Sequence, residues 1–161
     1  AIKQDGLVWA NHVSDLKGWS SDGAAKYGIR SIPQTVLVDE LIPYVDANFR
    51  TIAKKEKRAM AGLSMGGMET KTITLNKPEV FDYYGLLSGG TYASTDFKDK
   101  PKPKYIFLSC GSKERPDGIR KATEELKAAG FNADGYISEG TAHEFQTWRR
   151  SLLQMAPKLF N

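Results

Sequence analysis

Short apolar or β-branched runs alternate along the chain with stretches whose apolar positions recur every three or four residues. The runs fall at 35–39, 58–62, 81–88, 105–109 and 132–138, and each predicts a strand. Thr35-Val-Leu-Val-Asp39 is β-branched, and Tyr105-Ile-Phe-Leu-Ser109 is the most apolar. Leu41, Ile42, Val45, Phe49 and Ile52 share one helical face, with Pro43 in the first turn, where its missing N–H costs nothing. A helix follows Gly66; its Thr70, Thr72 and Thr74 are poor helix formers, so packing must hold it. Ile119, Ala122, Leu126 and Ala129 line a helix that stops at Gly130. Phe145, Trp148, Leu152, Met155 and Leu159 form the stripe of a terminal helix. The first 34 residues are turn-rich, with a short helix through Ala24, Ala25 and Tyr27 capped by Ser20 or Ser21. Segment 96–103 is a polar loop. Strands alternating with helices predict a single α/β domain over residues 1–161, its mainly parallel sheet flanked by helices.

Composition narrows the function classes. The chain has 161 residues, enough for one domain with a real core. The net charge is +4, but the lysines at 54, 55, 57 and at 98, 100, 102, 104 are scattered among acids and prolines with no aromatics between them. They read as a solvated helix end and a loop, not a nucleic-acid surface. No apolar run is long enough to cross a membrane, and the N-terminus lacks the apolar stretch of a signal peptide. Cys110 is the sole cysteine, which excludes an intrachain disulfide or a paired-thiol centre and suggests a small buried hydrophobe.

Candidate chemistry centres on Arg58-Ala-Met-Ala-Gly-Leu-Ser-Met-Gly-Gly67. Gly62-x-Ser64-x-Gly66 has the spacing of a nucleophile elbow, or more plainly of a small-residue strand–helix turn. In an elbow the serine is strained at the strand tip, and glycines flank it because a Cβ would strike the adjoining strand and helix. The Met65 N–H then opens a helix and can donate to an oxyanion. Other candidates follow later strands: Glu114 and Asp117 after 105–109, and His143 after 132–138. A serine hydroxyl needs an imidazole to take its proton, and the imidazole needs a carboxylate to fix its tautomer. Glu114 is the preferred acid, with Asp117 the alternative because it could instead cap the next helix. His12, in the turn-rich start, reads as structural or exposed. This constellation calls for no metal and no cofactor.

From Glu40 onward the chain resembles the feruloyl-esterase and esterase-D-like branch of the α/β-hydrolases. The resemblance rests on 40–50, Ala59-Met-Ala-Gly-Leu-Ser-Met-Gly-Gly-Met68, the Ser109-Cys-Gly-Ser loop and Gly140-Thr-Ala-His-Glu-Phe-Gln-Thr-Trp148. It implies Ser64 as nucleophile and His143 as base. The family usually has aspartate where this chain has Glu114, and Lys71 stands where an apolar or aromatic residue is expected. Residues 7–39 are instead similar to the late part of thioredoxin-fold, peroxiredoxin-related proteins, in which the bond matching Ile32–Pro33 is cis. Their thiol function is not carried over. The two resemblances predict a chimera joined near Asp39–Glu40, with strand 35–39 paired beside the elbow strand. The hydrolase part would be truncated, leaving Met65 as the oxyanion donor and an open sheet edge that favours a homo-oligomer. The expected substrate is a small ester, including hydroxycinnamoyl–carbohydrate esters, hydrolysed weakly. The alternative is a catalytically silent chimera that retains the triad residues. Proteins of the branch are often secreted or periplasmic.

Overall fold

The computed structural model describes residues 34–160. The turn-rich start, the short helix expected there, His12 and the Ile32–Pro33 bond lie outside them. The run at 35–39 is helical, contrary to its β-branched composition. Thr35–Leu41 forms a π-helix that continues directly into α1 (Ile42–Asn48). Ile42 donates its N–H to the Leu37 carbonyl, five residues back, and Leu37, Val38 and Ile42 pack together against the core. Their spacing suits a wide helical turn, so tertiary packing overrides local strand propensity. Being helical, 35–39 does not pair with the elbow strand, which overturns the predicted pairing and with it the account of a join at Asp39–Glu40. Pro43 does lie in the first turn of α1. The predicted apolar face ends early: Phe49 is extended, and Ile52 is exposed beyond the helix.

The remaining strands form where the apolar runs predict them. β1 (Ala59–Leu63), β2 (Tyr83–Leu87), β3 (Tyr105–Gly111) and β4 (Ala133–Ser138) make one parallel sheet in the order β1-β2-β3-β4. β2 and β3 are buried along their whole length, which is why they read as continuous apolar runs. The crossovers carry α2 (Met65–Asn76) and α3 (Pro116–Ala128), and α4 (Phe145–Met155) follows β4.

Side chains alternate across the sheet. Tyr84, Leu86, Ile106, Leu108 and Cys110 join Ile73 of α2 and Ile119 and Leu126 of α3 in the larger core. Tyr83, Tyr105 and Phe107 face the other way, onto Met155 of α4. Cys110 is thus the buried hydrophobe expected of it. In α2, Thr70 and Thr74 are fully buried, and each hydroxyl donates to a carbonyl one turn back. That satisfies their polar atoms while packing holds the helix. In α4 the predicted stripe is buried only in part. Met155 is buried and Trp148 and Leu159 are half-buried, as expected, but Phe145 and Leu152 are exposed while Thr147 and Ser151 are buried. Hydrogen bonds make a polar buried face possible: Thr147 donates to Thr141 Oγ1 at 2.6 Å and Ser151 to the Thr147 carbonyl at 2.8 Å.

The lysine clusters have local partners. Lys55 pairs with Asp82, Arg58 with Asp46, and Lys102 donates to the Ala129 carbonyl while lying over the Phe131 ring. Among the described residues no helix is long and apolar enough to cross a membrane, and no cluster of His, Cys, Asp and Glu could hold a metal.

Candidate active site

The parallel register puts the carboxyl ends of all four strands along one rim, where α/β sheets place their ligands. Ser64, Ser88, Glu114 and His143 each follow one of these strands, in chain order. At the first, the chain turns from β1 into α2 within one residue. Ser64 sits in that turn with φ +53° and ψ −120°, a strained conformation for any residue with a Cβ. Its N–H still bonds to the Leu87 carbonyl of β2. The expected glycine constraint holds at Gly62, where a Cβ would lie 2.0 Å from the Gly66 carbonyl oxygen. It does not hold at Gly66, whose missing Cβ would meet nothing. The second tight glycine is Gly67, with a Cβ position 2.7 Å from Gly89 Cα in the loop after β2. Met65 is the first residue of α2, so its N–H points out of the helix beside Ser64.

His143 comes from the opposite side of the sheet. With strands about 4.8 Å apart, the loop after β4 must reach back across β3 and β2. Gly111 makes room: a Cβ there would lie 2.4 Å from the Thr141 carbonyl oxygen and 2.7 Å from that of Ala142. Two further bonds fasten the loop down, Lys113 N–H to the Thr141 carbonyl and Gly140 N–H to Ser112 Oγ. His143 Nε2 consequently lies 2.8 Å from Ser64 Oγ, and Nδ1 lies 2.7 Å from Glu114 Oε1.

Glu114, not Asp117, reaches the imidazole. Asp117 lies exposed in the first turn of α3, where it suits the helix dipole. Glu114 Oε2 accepts from the Gly111 N–H at 2.6 Å and the Ser88 hydroxyl at 2.8 Å. Partial burial alone would raise its pKa. The Gly111 N–H, His143 and the Ser88 hydroxyl outweigh burial and hold the carboxyl below its ordinary value. An ionised Glu114 can only accept, so Nδ1 carries the imidazole proton and Nε2 is free to take one from Ser64. The arrangement can therefore deprotonate an alcohol next to a backbone donor, the requirement for acyl transfer.

Sequence reasoning missed Ser88 and Trp148. Ser88 reads as the end of a strand, and Trp148 as part of an apolar stripe. Trp148 Nε1 donates to Ser88 Oγ at 3.1 Å, and its ring stands edge-on to His143. Lys71, the unexpected residue near the elbow, pairs with Asp96 and donates to the Thr91 carbonyl, tying α2 to the chain after β2.

Sheet, helices and strained serine define an α/β-hydrolase fold. The Esterase family model matches residues 9–159, so the chain belongs to that family, and the match runs through the position proposed as a join. No comparison supports a thioredoxin-like segment. Over 127 residues the chain is 65% identical to an endo-1,4-beta-xylanase/feruloyl esterase of Xylanibacter ruminicola, covering 79% of this chain and 18% of that protein. Solved structures agree in fold. A ferulic acid esterase from Anaeromyces mucronatus superposes with TM-score 0.65 at 16% identity, covering 79% of this chain and 53% of the other. An S-formylglutathione hydrolase from Staphylococcus aureus gives 0.66 at 19% identity, covering 84% and 63%. The chain thus spans less than a fifth of its curated xylanase/esterase relative and under two thirds of these structures.

Proposed function

We propose that the chain is a serine-dependent carboxylic ester hydrolase in which Ser64 attacks the ester carbonyl, His143 accepts the hydroxyl proton and Glu114 orients the imidazole. The observation that carries this reading is the unbroken run from Glu114 through His143 to a strained Ser64, at 2.7 and 2.8 Å. Attack would form a tetrahedral oxyanion facing the Met65 N–H. His143 would then protonate the departing alcohol, and water would release the acid by the same steps. The feruloyl-esterase names of its relatives support a hydroxycinnamoyl ester, including one on a carbohydrate, as substrate.

Among the described residues the Met65 N–H is the backbone donor identified beside Ser64. Each oxyanion donor is worth on the order of a hundredfold in turnover, and with one placed among the described residues the expected activity is weak hydrolysis of small activated esters. β1 is a sheet edge among the described residues, which supports self-association. Sedimentation showing monomer at every concentration would remove that part alone.

A fluorophosphonate probe should label Ser64. Ser64→Ala should abolish labelling and lower p-nitrophenyl acetate hydrolysis by about a thousandfold or more. Equal rates for Ser64→Ala and the parent chain would defeat the esterase reading.

A further inference from the structure

The acid of this site is a glutamate, one methylene longer than aspartate and with one more rotatable bond to hold. Its grip on His143 depends on something fixing its other oxygen. We infer that Ser88 and Trp148 are positioning residues that lock the Glu114 carboxylate through a closed ring of contacts, Trp148 to Ser88 to Glu114 to His143 and back to Trp148. The inference rests on the esterase reading for its kinetic consequences, though not for its geometry.

Proton direction is settled by donor chemistry. An indole N–H can only donate, so Ser88 Oγ accepts from Trp148 Nε1 at 3.1 Å. The lone hydroxyl proton of Ser88 then goes to Glu114 Oε2 at 2.8 Å. With the Gly111 N–H on the same oxygen, Oε1 is left for the His143 Nδ1–H. The ring closes because Trp148 packs edge-on against the imidazole, centroids 5.1 Å apart at 87°. Trp148 therefore touches the histidine directly and reaches its carboxylate through one hydroxyl.

The backbone at Ser88 points the same way. Ser88 has φ +50°, a left-handed conformation that is uncommon for a residue with a Cβ. Its N–H continues the sheet by bonding to the Ser109 carbonyl at 2.7 Å. The strand tip bends only after that bond and turns the hydroxyl onto Glu114. Glycine follows at 89 and 90, yet the strained position itself keeps a hydroxyl.

Double-mutant cycles test the clamp. Hydrogen bonds to a charged group are worth enough that Ser88→Ala should lower kcat on p-nitrophenyl acetate about tenfold with KM unchanged. Ser88→Gly, which relieves the backbone and removes the same hydroxyl, should lose as much. Trp148→Phe keeps a ring edge against His143 and should lose less. Adding Ser88→Ala to Glu114→Ala should cost nothing more, because the hydroxyl then has no carboxylate to hold. A full Ser88→Ala loss in the Glu114→Ala background, or an unchanged kcat in both Ser88 variants, would overturn the inference. Proton NMR reads the clamp without turnover: the His143 Nδ1–H resonance, with His12→Gln used for assignment, should be sharp in the parent chain and broadened in Ser88→Gly. Equal line widths would sink the clamp. A parent chain that cleaves no ester would sink the esterase reading and leave this resonance to judge the clamp.

Discussion

Two glycines that look equivalent in Gly62-Leu-Ser-Met-Gly-Gly67 do different work. Gly66 faces open space, while Gly67 lies against Gly89 backbone. Gly66→Ala should leave stability within about 1 kcal/mol of the parent, or raise it, because alanine is the better helix former. Gly67→Ala sets a Cβ against backbone that cannot step aside and should cost about 3 kcal/mol or more. Urea unfolding of the two variants checks the contrast; similar midpoints would contradict it. The motif made the elbow legible because its spacing encodes a turn that few sequences need. Which glycine is tight was not legible, since that depends on a loop more than twenty residues away in sequence. Glu114 was readable by contrast with Asp117: both follow a buried strand, but Asp117 has a ready role in the first turn of the next helix. Ser88 gave no such signal, because a serine ending an apolar run is ordinary.

At the scale of elements, the loop after β4 is the piece on which the Ser64–His143 contact depends. It crosses the tip of β3 where Gly111 offers no side chain. Gly111→Ala should lift that loop by the width of a methyl group and separate His143 from Ser64. A misplacement of about 1 Å can cost around a hundredfold, so kcat should fall by that order while far-UV circular dichroism stays unchanged. Retention of full activity would show that the loop finds another path. Strands β2 and β3 were legible because burial on both faces leaves an unbroken apolar run. The Thr35–Leu41 helix was not, since its five-residue contact period belongs to a helix type too rare to expect. The face of α4 was misread in part, at Phe145 and Leu152, because threonine and serine hydroxyls bond within the buried layer, which apolar counting does not register.

Across the whole molecule, acid response follows from carboxyls held below their ordinary pKa. Asp96 is one: burial opposes its charge, but Lys71 and the Ala93 N–H outweigh it. Glu114 is another, whereas burial raises Glu69. A carboxyl depressed in the folded state adds stability that is fully present above its unfolded value, near pH 4, and is lost as pH falls through the lower folded value. Urea midpoints should therefore decline below about pH 4, and Asp96→Asn should make that decline shallower. Identical slopes would remove Asp96 from the account. The α/β class was legible at this scale from the alternation of patterns alone, because a parallel sheet cannot form without its crossovers. One consequence comes from the strand order. Chain order and sheet order coincide, so the exposed stretch around Pro101 divides the molecule into a half bearing the alcohol and a half bearing the imidazole. Under the mechanism proposed above, severing it there would leave neither fragment able to turn over an ester by itself, and the rate of colour release would count the molecules whose halves had found each other again.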